Sequence, residues 1–455
     1  MSAPEMQNQP APNPATTGPD DPADLAELAE LEEQARALDA ADPGHRELFC
    51  VPPAPAGRYA EAAYLVGNSL GLQPRAARDD LLAELDDWAR VAVEGHWEAR
   101  RPWTSYPEHL AGLMAPLVGA QPAETVVMNS LTVNLHLLMV SFYRPAGRRT
   151  RILIEDGAFP SDSYAVRSQA QFHGYDPDTT VVRLRPRPGE ETLRTEDVVD
   201  YLAAEGDQVA LVLLGGVNYL TGELMDIPTI TRAGRQAGAV VGWDLAHAAG
   251  NVPLQLHDWD VDFAAWCTYK YLNSGPGALS GAFVHERHLD DATLPRFDGW
   301  WGNDPATRFE MTPTIRRLPS AQSWQVSNPP VLAMAPIHTA LEIFNRVGMP
   351  ALRERSLRLT GYLQGLLDRI TPNRPISVIT PREPERRGAQ LSIRVRQGSA
   401  AELAKRLRLE YGVFTDHREP DLVRAAPAPL YNSFHDCWRL ADALARLVPP
   451  ADPVS

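Results

Sequence analysis

The chain has 455 residues, of which 44% are apolar and 22% are charged, and its formal net charge is −15. This composition is typical of a globular protein with two or three domains, or with one large domain and a smaller companion. The negative charge argues against a nucleic acid as the main partner, because its phosphates would be repelled. No apolar run approaches the ~18 residues that cross a bilayer, so we expect no membrane partner.

Cysteine usage and the first residues predict the compartment. Cys50, Cys267 and Cys437 are far apart and match no metal-ligand spacing, so we expect no metal site, no disulfide framework and a cytoplasmic location. The N-terminus has no basic region followed by an apolar core, so we expect no secretory signal. Residues 1–22 are rich in Pro, Ala, Asn and Asp, which predicts a disordered tail.

The centre of the chain, residues 91–333, alternates apolar strand-like runs with helical patterns. Between two of these runs, residues 226–238 have Pro near the start and Gly at the end, which are helix start and stop signals. This alternation predicts an α/β fold, in which a large domain has a mostly parallel central sheet covered by helices. The strand-like runs are RILIEDGAF (151–159), VALVLLGGV (209–217), AVVGWDLAH (239–247) and DFAAWCTYK (262–270).

The pattern changes toward the C-terminus. From residue 334 helical segments precede a strand-like QLSIRVR at 390–396, and another helix pattern follows at 400–411. We therefore predict a smaller α+β domain over residues 334–455. Near the other end, ADLAELAELEEQARALD is a strong helix pattern, and we expect the segment 23–90 to pack with the small domain.

Polar residues end several of the central apolar runs. Asp156, Asp244, His247 and Lys270 do so, and in parallel sheets the ligand sits beyond the carboxyl ends of the strands. An unpaired buried lysine loses its proton or acquires a partner, because burying the ammonium is costly. Lys270 and Asp244 are either a buried ion pair or a chemical pair. In the chemical interpretation, Lys270 forms a Schiff base with an aldehyde cofactor and Asp244 keeps a pyridinium nitrogen protonated.

A phosphate on such a cofactor needs an anion site. The helix pattern MNSLTVNLHLLMVSFY (128–143) opens with free N–H groups and the hydroxyls of Ser130 and Thr132, although Ser and Thr are also ordinary N-caps. Tyr269 is either a donor to the phosphate or an aromatic core residue. His247 is either a satisfied core histidine or a residue that orients the group held by Asp244.

Several motifs, in order from about residue 45 to the C-terminus, resemble the kynureninase family. This family consists of pyridoxal-phosphate enzymes of fold type I in the class V aminotransferase group. The motifs are DLAHAAGNVPLQLHDWDVDFAAWCTYKYLNSGPG (244–277), GNSLGLQP (67–74), RPW (101–103), NSLTVNLHLLM (129–139), AFPSD (158–162), GWWG (299–302), SNPP (327–330) and APLYNSFHD (428–436).

The resemblance implies a role for each matching residue. Lys270 resembles the Schiff-base lysine and Asp244 the pyridinium partner, and Tyr269 is the candidate for a second acid–base group. One departure is Gly215, where some relatives have a small hydroxyl residue. The implied cofactor residues are Leu131, Thr132, Phe159, Asp162, Asp244, His247, Tyr269, Lys270, Trp300 and Asn328. The implied substrate residues are Ser69, His96, Ser327, Asn328 and Arg424, the last as a bidentate clamp for the α-carboxylate.

The resemblance also implies a reaction and an assembly. The reaction is hydrolysis of L-kynurenine to anthranilate and L-alanine, or of 3-hydroxy-L-kynurenine to 3-hydroxyanthranilate and L-alanine, in tryptophan catabolism and NAD precursor synthesis. His96, Ser327 and Asn328 resemble pocket residues of relatives that favour the hydroxylated ring, so we predict that preference. We further expect a homodimer with shared active sites, in which His96, Trp300 and Asn328 come from the partner or its edge.

Two rival functions remain open from the sequence. Another class V enzyme, such as a cysteine desulfurase or an aminotransferase, would share the cofactor; a desulfurase needs a mobile cysteine, whereas Cys267 lies inside an apolar run. A binding protein that keeps the fold without chemistry would tolerate loss of Lys270, Asp244 or Arg424, and all three are present.

Overall fold

The computed structural model describes residues 22–450. The predicted tail, residues 1–22, lies outside this range except for its last residue. The helices are α1 (Pro22–Ala41), α2 (Ala77–Val91), α3 (Gly95–Glu98), α4 (Tyr106–Met114), α5 (Leu131–Phe142), α6 (Pro160–Phe172), α7 (Pro177–Thr180), α8 (Thr195–Glu205), α9 (Ile227–Gln236), α10 (Val331–Val347), α11 (Met349–Ile370), α12 (Ala400–Tyr411) and α13 (Phe434–Leu447). The strands are β1 (Phe49–Cys50), β2 (Ala63–Tyr64), β3 (Gln73–Pro74), β4 (Thr125–Met128), β5 (Arg151–Glu155), β6 (Val181–Leu184), β7 (Val209–Gly215), β8 (Val240–Asp244), β9 (Phe263–Trp266), β10 (Ser280–Val284), β11 (Ile376–Val378), β12 (Leu391–Val395), β13 (Val413–Phe414), β14 (Asp416–Arg418) and β15 (Leu422–Ala425).

Within residues 22–450, seven strands form the central sheet in the order β4-β10-β9-β8-β7-β5-β6. The pairs from β6 to β9 are parallel, whereas β10 runs antiparallel to both β9 and β4. The strands are short and almost wholly apolar, as expected where both faces of a parallel sheet are covered. The predicted α/β fold with a mostly parallel sheet is confirmed.

Both faces of this sheet are buried. One face packs on a large core that includes Trp243 and Trp266 together with α4 and α10. The other face packs on α5 and α6. The crossover helix α9 shows how the sequence sets these elements, because Asp226 caps its start by accepting a hydrogen bond from Thr229 N at 3.1 Å.

A smaller antiparallel sheet, β11-β12-β15-β14, lies in the C-terminal part of the chain. Its core is shared with α11, α12 and α13, and α1 packs on α13. Helix α10, which follows the predicted domain boundary at residues 333 and 334, contributes to the core of the large sheet. That domain boundary stays a prediction. No helix within residues 22–450 is long and apolar enough to cross a membrane.

Candidate active site

A cavity of about 350 Å³ lies where the carboxyl edge of the central sheet faces the small sheet. Ten of the residues predicted for cofactor or substrate line it. They are Ser69, Leu131, Thr132, Phe159, Asp162, Asp244, His247, Tyr269, Lys270 and Arg424. The cavity is thus built from strand ends and helix starts, which a parallel sheet brings to one edge.

Lys270 and His247 are in direct contact inside the cavity. Lys270 Nζ lies 3.1 Å from His247 Nε2 and 5.9 Å from the centre of the Phe159 ring. Burial lowers the pKa of His247 well below its usual range, and the positive charges of Lys270 and Arg424 add to this effect. His247 is therefore a neutral imidazole, which can share a proton with the lysine.

Glycine at position 71 allows the segment GNSLGLQP to pack on the loop that contains Lys270, which we call the lysine loop. Gly71 N donates to Tyr269 O at 2.8 Å. A Cβ atom on Gly71 would lie 2.4 Å from Lys270 O and 2.8 Å from Asn273 Cα. Because both neighbours are backbone atoms, only glycine lets the two segments approach so closely.

The floor of the cavity holds three buried carboxyl groups, Glu155, Asp162 and Asp244. Asp244 accepts from Ala246 N at 2.7 Å. Burial and then the neighbouring Asp244 raise the pKa of Asp162 well above its usual range. Burial also raises the pKa of Glu155 to about 7. The environment therefore favours the protonated form of Asp162.

Two helix starts converge on one side of the cavity. Helices α5 and α6 begin at Leu131 and Pro160, and the hydroxyls of Thr132 and Ser161 lie 2.6 Å apart. Asn129 turns the chain into α5 with a φ of +45°, a conformation that asparagine tolerates better than most residues. Free N–H groups and hydroxyls at paired helix starts favour binding of a phosphate.

The opposite side carries arginines of the small sheet. Arg424 is buried and donates to both carboxylate oxygens of Asp416, and its Nη1 donates to Tyr219 O at 2.6 Å. Arg418 also lines the cavity and lies 3.2 Å from Asp416. This end of the cavity therefore favours an anionic group of a ligand.

Four of the predicted residues, His96, Trp300, Ser327 and Asn328, do not line this cavity within the described chain. Ser327 and Asn328 are exposed, and Trp300 donates to Arg308 O. Trp300 belongs to a set of exposed side chains that we call the aromatic surface, and His96 adjoins it through Trp97. The members are Trp97, Trp300, Phe309 and Met311, whose side chains are 40–68% exposed.

Comparison with known proteins places the chain in a family. The protein-family model described as Kynureninase C-terminal domain matches residues 352–444 of this chain. The kynureninase of Salinispora tropica is 74% identical to this chain, over 91% of the chain and 96% of that protein. The kynureninase of Myxococcus xanthus is 56% identical, over 90% and 96%. The chain belongs to the kynureninase family.

The solved structures agree with the fold of a kynureninase predicted from the sequence. A mutant of C-DES with glycine covalently linked to its PLP cofactor superposes with a TM-score of 0.73 at 17% identity, over 84% of this chain and 96% of that chain. At this identity the likeness concerns the fold alone. The predicted family and fold type I architecture are both confirmed.

The polar atoms of this kynureninase-family cavity fit pyridoxal phosphate. His247 Nδ1, Asp162 Oδ1 and Asn68 Oδ1 are buried and have no hydrogen-bond partner among residues 22–450. The amide oxygen of Asn68 can accept from a bound group, and the other two atoms can accept or, when protonated, donate. Asp244 suits a protonated ring nitrogen, and the helix starts at α5 and α6 suit the phosphate.

The sequence analysis did not predict every residue that lines the cavity. Glu155 lines the cavity, whereas the predicted Asp156 is exposed and pairs with Arg185. The difference arises because successive residues at a strand end point in opposite directions. Asn68 and Ser161 fall inside the quoted motifs GNSLGLQP and AFPSD, which was the available signal; for Tyr219 and Arg418 the sequence offered none.

Proposed function

We propose that the chain cleaves L-kynurenine and 3-hydroxy-L-kynurenine hydrolytically, giving L-alanine and anthranilate or 3-hydroxyanthranilate. As a member of the kynureninase family, it is a hydrolase acting on C–C bonds in ketonic substances, and its cofactor is pyridoxal phosphate. One observation carries the proposal: Lys270, Asp244, His247 and Arg424 meet in a single cavity.

The cavity residues would hold the cofactor from three sides. Asp244 would hold the ring nitrogen, Phe159 the ring face, and Thr132 with the α5 helix start the phosphate. When bound, pyridoxal phosphate supplies an aldehyde for Lys270 and a ring that withdraws electrons from the substrate α-carbon. Trp300 and Asn328 would complete the site from a second subunit.

Lys270 would be the general base of the reaction. Its Nζ would remove the substrate α-proton, and the neutral His247, 3.1 Å away, is placed to share that proton. Burial and the neighbouring Cys267 thiol raise the pKa of Tyr269, so its phenol keeps its proton. It can therefore act as a donor in later steps, in which water adds to the γ-carbonyl and the aryl carboxylate departs.

Arg424 would orient the substrate. The side chain is 1% exposed and is fixed by Asp416 and Tyr219, which leaves one N–H on each Nη atom for the α-carboxylate. Ser69 lines the same cavity and would contact the substrate beside it. A fixed guanidinium suits a planar carboxylate better than a mobile lysine does.

The rival desulfurase function is disfavoured by the state of Cys267. This residue lines the cavity but is 3% exposed, and burial raises the pKa of its thiol. A reactive cysteine needs an accessible thiolate. Cys267, fixed directly after β9, cannot supply one.

We also propose a preference for 3-hydroxy-L-kynurenine and a homodimer in the cytoplasm. Trp300 belongs to the aromatic surface and His96 adjoins it, and exposed apolar patches of this kind mark interfaces. By resemblance to the family, His96 and Asn328 of a second copy would then contribute to its neighbour's cavity. Equal or better kcat/KM on plain L-kynurenine would refute the preference.

A panel of substrates tests the reaction class. The cofactor-loaded protein is given L-kynurenine, L-cysteine, or L-alanine with a keto acid, and the products are quantified. We expect L-alanine and anthranilate from the first substrate only. Sulfide from L-cysteine, or amino-group exchange with the keto acid, would assign the chain a different reaction.

A further inference from the structure

Two guanidinium groups, not one, face the cavity from the small sheet. Arg418 ends β14 and Arg424 lies on the neighbouring β15, and the two strands pair antiparallel with Asp416 opposite Arg424. Both arginines line the cavity. The family resemblance assigns a role to Arg424 but none to Arg418.

The charges at this end of the cavity leave one positive charge uncompensated. Asp416 lies between the two arginines, and it contacts Arg424 through two hydrogen bonds and Arg418 at 3.2 Å. Two arginines and one aspartate therefore sum to a net charge of +1. Both arginines contribute to the lowered pKa of His247, so their field acts inside the cavity.

The two arginines differ in how many donors they have left. Arg424 uses one N–H on each of its Nε, Nη1 and Nη2 atoms for Asp416 and Tyr219, which leaves one N–H on each Nη atom. Arg418 uses Nη1 for His417 O and Nη2 for Asp416, and its Nε donates to no group within residues 22–450. Burial, and then the charge of Arg424, lower the pKa of Arg418. The Arg418 side chain is 35% exposed, and a partly buried guanidinium with a free donor is stabilised by an incoming carboxylate.

We propose that Arg418 is the second arm of the clamp for the substrate α-carboxylate and, with Arg424, makes the cavity selective for ligands that carry one carboxylate. The inference rests on the proposed function, because it takes an α-amino acid as the substrate. Asp416 is then a positioning residue, which holds the two guanidinium groups side by side. Its negative charge cancels one of their two positive charges, and the other is left for the substrate carboxylate.

The test compares two ligands that differ only in this carboxylate. They are L-kynurenine and its decarboxylated analogue kynuramine, and the cofactor-loaded R418Q variant is measured against wild type. We expect KM for L-kynurenine to rise about 10- to 100-fold with kcat within about threefold, and the inhibition constant of kynuramine to stay within about twofold. R418K, which keeps the charge but not the fork, should recover part of the loss.

Matched controls separate the clamp from a packing role. Arg396 is exposed at the end of β12, outside the cavity, so R396Q should behave as wild type. An unchanged KM in R418Q, or an equal weakening of both ligands, would overturn the proposal. Dissociation constants of the two ligands read from cofactor absorbance do not need turnover, so a wild-type protein that releases no alanine would count against the proposed function alone.

Discussion

Replacing Gly71 with alanine tests whether the segment GNSLGLQP fixes the lysine loop. The new Cβ would lie 2.4 Å from Lys270 O and 2.8 Å from Asn273 Cα, and these backbone atoms can move only if the loop moves. Forcing an extra carbon into a packed site costs about 1–3 kcal/mol. We therefore expect G71A to lower the free energy of unfolding by this amount and to weaken cofactor binding, because Lys270 is displaced.

The assay needs a glycine whose replacement meets no atom. Gly112 is exposed in α4 and has nothing within 4 Å of its Cβ position, so G112A should raise the free energy of unfolding by about 0.5–1 kcal/mol through helix propensity. Urea unfolding followed by circular dichroism gives both values, and absorbance titration with pyridoxal phosphate gives the cofactor affinity. A G71A protein with wild-type stability and wild-type cofactor affinity would refute this account of the loop.

Three further predictions concern Lys270, Glu155 and the aromatic surface. K270A should lose turnover and the Schiff-base absorption, and borohydride reduction of the wild type should label Lys270 and spare Lys405, the other lysine of the chain; label on Lys405 would contradict the assignment. Since burial raises the pKa of Glu155 from 4.5 to about 7, the unfolded chain releases this proton first, and stability falls as pH rises through that window. One pH unit corresponds to about 1.36 kcal/mol. Between pH 5 and pH 8, wild type without cofactor should therefore lose about 2–3 kcal/mol of unfolding free energy relative to E155Q, as measured by chemical denaturation. The same pH dependence in both proteins would exclude this effect. A charge on the aromatic surface, as in F309D, should convert the proposed dimer to a monomer in sedimentation experiments, whereas a dimer that survives F309D would place the interface elsewhere.

The strands and the chemical pair were predictable because each rests on local patterns. Apolar runs bounded by polar residues gave the central strands, and the carboxyl-edge rule brought Asp244 and Lys270 to one cavity. The runs overshot the strands, since β5 ends at Glu155 while its run continues to Phe159. Those extra residues form a loop that leads to Phe159, which lines the cavity.

Other parts of the site depend on how distant segments pack. β14 is the charged tripeptide DHR, which has low strand propensity, and it becomes a strand only by pairing with β15. Nothing local therefore indicated that Arg418 would face the cavity. Whether Glu155 or Asp156 faces the cavity depends on which face of the sheet the last residue of β5 points to. The apolar run in the sequence does not show where the strand ends, so it does not decide this.

A paired assay that quantifies L-alanine and aromatic acid decides whether this chain performs the proposed hydrolysis. Purified protein loaded with pyridoxal phosphate is given L-kynurenine and, separately, 3-hydroxy-L-kynurenine, with K270A as the matched inactive control. The expected result is one alanine per aromatic acid from both substrates, and none from K270A. No alanine from either substrate, in a protein that shows the Schiff-base absorption, would contradict it and leave Lys270 as the cofactor lysine of a different activity.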